Sequence, residues 1–120
     1  MKVAVVGSRV VHEEVYALLE KYIPANASEI VSGGAAGVDK LAGEYARRNE
    51  LKLTEFLPDY DDENLVDKKR APLIRNQKIV EHADFVIAFW DGKSRGTAFT
   101  LDYAFKQGKP AKVVLLEKDK

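Results

Sequence analysis

Residues 75–97 have the sequence RNQKIVEHADFVIAFWDGKSRGT, and this stretch decides the fold. It starts in a helical segment, continues into the apolar run 85–89, which has the length of a buried strand, and ends in the polar loop 91–97, which opens a second helix. The loop offers small residues, backbone N–H groups and the cation Arg95. These groups suit an anion held at a helix N-terminus, because amide donors and the helix dipole both point outward there.

Two further loops have the same character, and each of them also follows an apolar strand. Residues 7–9 (GSR) follow the run 3–6, and residues 32–37 (SGGAAG) follow the short strand 29–32. The glycines of the second loop serve either as a tight strand-to-helix turn or as a phosphate contact. Three such loops favour a phosphate-bearing ligand, without saying what happens to it.

Outward from these loops, apolar periodicity predicts strands alternating with helices. The predicted strands are 3–6, 29–32, 51–57, 85–89 and 111–116, and the predicted helices are 12–22, 38–48, 72–82 and 97–106. Such alternation implies a parallel sheet covered on both faces. The prediction is a single α/β domain over residues 1–120, a doubly wound five-stranded parallel sheet of order 3-2-1-4-5. Residues 59–70 are predicted to form a surface loop of a length found over active sites.

With this strand order, the first and fourth strands are neighbours at the point where the order reverses. Ligands of such sheets bind at the carboxyl ends of the strands at that point. The loops after strands one, two and four are therefore expected to share one crevice.

The composition narrows the classes of function. Nineteen Lys and Arg balance nineteen Asp and Glu, so the basic excess that supports non-specific nucleic-acid binding is missing and nucleic acid is disfavoured as a partner. Without cysteine there is no thiol nucleophile or zinc–cysteine site, and His12 and His82 lack partners at metal spacing, so we expect no metal and no cofactor. No apolar run approaches the roughly 20 residues of a membrane span. We therefore expect a soluble cytoplasmic protein without a membrane partner.

The candidate ligand-binding residues come from the three loops and the helix before the fourth strand. Arg9 and Arg95 are the candidate phosphate-binding cations. Asp39 is expected mainly to favour the dipole of the helix that it opens, with a ribose hydroxyl as the alternative partner. Trp90 either closes the edge of the core or stacks on a base. The predicted ligand-binding set is Gly7, Ser8, Arg9, Ser32, Gly33, Gly34, Asp39, Arg75, Asn76, Trp90, Asp91, Ser94, Arg95, Gly96 and Thr97.

The order of these motifs resembles the SLOG superfamily of Rossmann-like nucleotide-ligand domains. The resemblance extends over residues 3–114 and is carried by 7–9, 32–39, 75–76, 83–84 and 89–97. It is strongest to the small stand-alone branch related to YspA and YpsA. The superfamily also includes the Lonely-Guy-type phosphoribohydrolases, often called lysine decarboxylases, and the DNA-processing protein of natural transformation.

The resemblance implies a Rossmann-like fold and a catalytic position for Arg75, which lies nine residues before Asp84. The hydrolases continue with P-G-G-x-G-T-x-x-E, in which the glutamate assists cleavage of the N-glycosidic bond. This chain keeps Gly96 and Thr97 but has Thr100 in place of that glutamate. Threonine cannot act as a carboxylate acid, base or charge stabiliser. The resemblance therefore supports the pocket and counts against the known reaction.

Three functions follow, in order of preference. The first is binding or sensing of a nucleotide or nucleotide-derived phosphate ligand. The alternative is N-glycosidic hydrolysis of nucleoside monophosphates or ADP-ribose-like molecules, with Arg75 as its catalytic residue. The third is handling of single-stranded DNA. Because relatives by resemblance are commonly dimeric, a homodimer is also expected.

Overall fold

The computed structural model describes residues 1–9 and 14–116, and in this part of the chain five strands alternate with helices. The predicted helix 12–22 is present from Glu14 onward, and its predicted start, with His12, lies outside the described residues. A short 3-10 turn, Lys68–Arg70, precedes the third helix. The strands are β1 (Lys2–Gly7), β2 (Glu29–Ser32), β3 (Lys52–Glu55), β4 (Phe85–Trp90) and β5 (Ala111–Leu115), and the helices are α1 (Glu14–Tyr22), α2 (Val38–Arg48), α3 (Ala71–His82) and α4 (Arg95–Lys106).

The sheet is parallel throughout and has the order β3-β2-β1-β4-β5, which confirms the predicted fold and strand order. The central strand β1 places Val3 opposite Ile30 of β2 on one side and opposite Phe85 of β4 on the other. The loops after β1, β2 and β4 consequently leave the sheet at the same end. This end is called the carboxyl edge below, and the opposite end the amino edge.

Two apolar layers cover the faces of the sheet. On one face, Val15 and Leu19 of α1 and Val38 of α2 pack against alternate residues of the central strands, with Phe89 the largest fully buried side chain. On the other face, Ile79 and other buried residues of α3 pack with α4. Because both faces are covered, the central strands are apolar at nearly every position, as the unbroken run before Gly7 predicts.

Most predicted boundaries in the described residues agree with the structure to within one residue, and the two largest differences are at β3 and α4. Strand β3 spans only Lys52–Glu55, not 51–57, because β2 ends at Ser32, which is opposite Glu55. Helix α4 begins at Arg95 rather than at residue 97, since Ser94 acts as its N-cap and accepts a hydrogen bond from the Thr97 amide (3.4 Å). In both cases a pairing or hydrogen-bonding partner sets the end of the element, and the apolar pattern does not: Ser32 of the neighbouring strand for β3, and Ser94 for α4.

Candidate functional site

A cavity of about 390 Å³ opens at the carboxyl edge, between the loops after β1, β2 and β4 and the first turns of α3. The crevice predicted for these loops is therefore present. The described residues that line it are Val6, Gly7, Ser8, Arg9, Ala35, Asp39, Pro72, Leu73, Arg75, Asn76, Ile79, Ser94, Gly96, Thr97 and Thr100.

Close backbone packing joins the first two loops. The amide of Val38 donates to the carbonyl of Ser8 (3.0 Å), so the start of α2 lies directly against the loop after β1. Gly37 adopts φ 80°, and a Cβ there would lie 2.5 Å from the carbonyl oxygens of both Ser8 and Arg9. A residue with a side chain could not pack here without moving backbone, so glycine at 37 serves the turn and the contact at once.

Arg75 is a cation with most of its donors already engaged. Its side chain is only 7% exposed, Nη1 donates to the carbonyl of Gly33 (2.7 Å) and more weakly to that of Phe56 (3.4 Å), and Nε donates to Oδ1 of Asn76 (2.8 Å). Burial lowers the pKa of Arg75, and the nearby carboxylate of Asp39 partly opposes this. The residue therefore holds the loops after β2 and β3 to α3 while leaving a positive charge in the cavity wall.

Asp39 faces the same cavity from the first turn of α2. Its Oδ2 accepts a hydrogen bond from the amide of Ala35 (3.1 Å). Burial raises the pKa of Asp39 above its usual value of 3.8, and the hydrogen bond from Ala35 and the charge of Arg75 offset only part of that effect. A Cβ on Gly33 would lie 2.5 Å from Nη1 of Arg75 and 3.0 Å from Oδ2 of Asp39, so the bare glycine backbone lies between the two charges.

The start of α4 forms another part of the cavity wall. Oδ1 of Asp91 accepts the amides of Lys93 and Ser94 (2.8 Å each), and the hydroxyl of Ser94 accepts the amide of Thr97. The described residues provide no acceptor for the amides of Arg95 and Gly96, as is usual for the first turn of a helix. These amides and the dipole of α4 create a positive potential beside the cavity.

Not every predicted ligand-binding residue lines the cavity. Gly33 is buried behind it and accepts from Arg75, and the indole of Trp90 donates to the carbonyl of Ser94 (3.0 Å), which braces the loop. Arg95 is exposed on α4. The predicted residues that line the cavity are Gly7, Ser8, Arg9, Asp39, Arg75, Asn76, Ser94, Gly96 and Thr97, and those that do not are Ser32, Gly33, Gly34, Trp90, Asp91 and Arg95.

The apolar part of the wall was missed by the sequence analysis. Val6, Pro72, Leu73 and Ile79 line the cavity, yet in the sequence they are ordinary members of a strand and a helix. Only the position of Pro72, at the start of α3, offered a signal, because the first turn of that helix meets the crevice. The positions of Leu73 and Ile79 depend on which face of α3 turns toward the sheet, whereas Val6 belongs to β1.

Thr100, the residue at the glutamate position of the related hydrolases, also lines the cavity. It is 1% exposed, and its hydroxyl donates to the carbonyl of Gly96 one turn earlier (2.8 Å). Helix α4 thus presents a satisfied hydroxyl rather than a carboxylate at this position. Hydrolysis by this chain stays a prediction from resemblance.

The strand order and the cavity at its switch point define a Rossmann-like α/β protein. Within that class, the chain belongs to the YspA, cpYpsA-related SLOG family, whose model matches residues 1–62. The match includes the loops after β1 and β2 and confirms the resemblance drawn from the motifs. No curated protein matches the chain.

A solved structure adds a finding about partners. The chain is similar to DNA processing protein A from Helicobacter pylori, described as having a unique single-stranded DNA binding mode, with a TM-score of 0.75 and 26% identity over 100% of this chain and 67% of that chain. The expectation that nucleic acid is disfavoured as a partner is therefore wrong. A net charge of zero averages over the whole chain and does not report the charge at one edge of the sheet, where Arg9 and Arg75 lie.

Among the described residues, no helix is long and apolar enough to span a membrane. The same residues contain no group of three His, Cys, Asp or Glu that could hold a metal ion.

Proposed function

We propose that the cavity at the carboxyl edge binds a nucleotide or nucleotide-derived ligand through its phosphate. The observation that carries the proposal is the convergence of three loops, two arginines and the start of α4 on one cavity. Its volume of about 390 Å³ lies within the range of small-ligand sites, roughly 300–1,000 Å³.

The phosphate is best accommodated at the start of α4. The amides of Arg95 and Gly96 have no acceptor among the described residues, and a Cβ on Gly96 would meet nothing within 4 Å. A ligand oxygen can therefore approach this backbone closely. The second loop is less suited, because its amides already serve the protein: Gly34 donates to Ser32 and Ala35 to Asp39.

The two arginines would contribute differently. Arg9 is exposed, lies at the end of β1 and can bring its planar donor fork to a phosphate. Arg75 is held by the carbonyls of Gly33 and Phe56, so it would act mainly through its charge. The proposal thus assigns direct phosphate contact to Arg9 and background attraction to Arg75.

Titration calorimetry with AMP and with inorganic pyrophosphate tests the proposal. Arg9→Ala should weaken both ligands roughly tenfold or more, because a charge-assisted hydrogen bond is lost. Lys21→Ala, in the last turn of α1, is the matched control and should leave both affinities unchanged. Absence of binding by the wild-type chain would refute the proposal, and release of free adenine from AMP would replace it by hydrolysis.

Single-stranded DNA binding is the second candidate, favoured by the similarity to DNA processing protein A over the whole chain. A phosphodiester carries the same anionic oxygens, so Arg9 and the start of α4 would serve it as well. Fluorescence anisotropy of a labelled oligodeoxynucleotide, measured at several salt concentrations, tests this candidate. Salt-sensitive binding that AMP does not displace and that Arg9→Ala abolishes would favour DNA as the ligand; displacement by AMP would favour the mononucleotide.

A further inference from the structure

Asp39 is the only carboxylate among the described residues that line the cavity. The other charges in that lining are the cations Arg9 and Arg75. An acidic side chain in a cavity for phosphate opposes the ligand's charge. Asp39 therefore needs an explanation that phosphate binding does not provide.

The loop after β2 supplies only part of the hydrogen bonds that the carboxylate of Asp39 can accept. Oδ2 accepts from the amide of Ala35, and the backbone of Gly33 gives the carboxylate a further, smaller hydrogen-bond contribution. Asp39 lines the cavity and is only half-buried, so a ligand in the cavity can reach its carboxylate. Arg75 acts on Asp39 through its charge, which lowers the pKa of the carboxylate, while its Nη1 donates to the carbonyls of Gly33 and Phe56.

An ionised carboxylate is an acceptor only, so it can recognise hydroxyl or amino donors but not phosphate. Burial already raises the pKa of Asp39, which shows that the fold keeps this charge at a cost. A ligand donor would add to the hydrogen bonds that the loop after β2 supplies. In a nucleotide whose phosphate lies at the start of α4, the group next to the phosphate is the sugar, and its hydroxyls are the nearest donors.

The backbone of Val38 fixes the position of Asp39 relative to the loop after β1. Its amide donates to the carbonyl of Ser8, so Asp39, the next residue, is fastened against the loop that carries Arg9. Arg9, on the loop after β1, and Asp39, at the start of α2, therefore belong to two segments that are in direct contact. We propose that the carboxylate of Asp39 accepts a hydrogen bond from the ribose hydroxyls of the ligand, which makes Asp39 the residue that selects ribonucleotides. This inference rests on the proposed binding of a nucleotide.

The experiment compares three probes by calorimetry: AMP, 2′,3′-dideoxy-AMP, which lacks both hydroxyls, and inorganic pyrophosphate, which lacks the sugar. The wild-type chain should bind AMP roughly tenfold or more tightly than the dideoxy analogue, as expected for a hydrogen bond to a charged group. In Asp39→Ala this preference should fall to about threefold or less. Pyrophosphate affinity should stay unchanged or rise, because a like charge has been removed.

The pyrophosphate result also controls for folding, since a disrupted cavity would lose that ligand too. Glu55→Gln is the matched control: Glu55 lies beside Gly34, contributes to the electrostatics of Asp39 and does not line the cavity. It should retain the wild-type preference for AMP.

The outcomes separate the inference from the function on which it rests. If the wild-type chain binds neither AMP nor pyrophosphate, the proposed function fails and the inference fails with it. If it binds both but does not distinguish AMP from the dideoxy analogue, only the ribose contact is refuted. If Asp39→Ala retains the preference for AMP over the analogue and loses a preference for AMP over UMP, the carboxylate contacts the base, which also overturns the inference.

Discussion

The amino edge and the carboxyl edge of the sheet each hold a carboxylate that is wholly or partly removed from solvent, but its surroundings differ. At the amino edge, Oε2 of Glu29 contacts Nε2 of His82 (2.7 Å) and accepts from Oγ1 of Thr54 (2.8 Å), and Oε1 lies 3.8 Å from Nζ of Lys52. At the carboxyl edge, Asp39 accepts from the backbone of the loop after β2, including the amide of Ala35, and lines the cavity.

The pKa directions follow this difference. Burial alone would raise the pKa of Glu29, yet the hydrogen bonds from His82 and Thr54, with the charge of Lys52, lower it overall. Burial raises the pKa of Asp39, and its partners are too few to reverse the effect. A carboxylate whose hydrogen bonds and neighbouring cations outweigh the effect of burial stabilises the fold. A carboxylate whose pKa stays raised is a candidate functional residue. Four predictions test the comparison.

The largest effect is expected where the carboxyl edge is most tightly packed. Gly37→Ala should lower the free energy of unfolding by about 3 kcal/mol or more, because a Cβ meets two carbonyl oxygens at 2.5 Å and φ is 80°. Gly92→Ala is the control with the same φ and no atom within 4 Å of its Cβ, and should cost only about 1 kcal/mol. Urea unfolding measures both, and equal losses would show that the two loops are not packed together as described.

The next effect concerns the amino edge. Glu29→Ala should lower the free energy of unfolding by about 2 kcal/mol at neutral pH, since it removes the partner of both His82 and Thr54. The folded-state pKa of Glu29 is lowered from 4.5, so its stabilisation is fully present above pH 4.5 and is lost as the pH falls through the folded-state value. The difference between wild type and variant in urea unfolding should therefore shrink in acid. As a control, Lys52→Ala removes a side chain that is 71% exposed and should lower the free energy of unfolding by about 0.5 kcal/mol or less. If the difference in stability between wild type and Glu29→Ala is the same at all pH values, the role assigned to Glu29 is contradicted.

Asp39→Asn should behave in the opposite way. Because the folded-state pKa is raised above 3.8, ionisation of Asp39 destabilises the folded state as the pH rises from 3.8 through the folded-state value. Asparagine can still accept from Ala35 and does not ionise. At neutral pH the variant should match the wild type or gain up to about 1 kcal/mol, and in acid the two should coincide. A loss like that of Glu29→Ala would place Asp39 among the structural residues.

The smallest effect is expected for Arg95→Ala. The sequence predicts Arg95 as a phosphate contact, but this residue is exposed and does not line the cavity. Its removal should change AMP affinity by about twofold or less, as for a solvated charge, against the larger loss expected for Arg9→Ala. If calorimetry shows a loss of AMP affinity as large as that of Arg9→Ala, Arg95 contacts the ligand after all.

The sequence alone determined the fold and the end of the sheet at which ligands are to be sought. Continuous apolar strands, helical periodicity and loops rich in glycine are local properties, and the rules for parallel sheets convert them into one strand order. The family followed from the order of short motifs in the loops. Arg9, Asp39 and Arg75 could be named as candidates because each lies next to a strand end or on the helix before β4.

Only the tertiary structure decided what each candidate does. Arg75 is engaged by the carbonyls of Gly33 and Phe56, which are 42 and 19 residues away in the chain. The indole of Trp90 donates to the carbonyl of Ser94, Arg95 is exposed to solvent, and Asp39 lines the cavity. A pattern of residue types shows which chemical groups lie near a strand end. The hydrogen-bonding partner of each group, however, depends on packing between segments that are distant in the chain. That packing decides whether a charged side chain stabilises the fold or is available to a ligand.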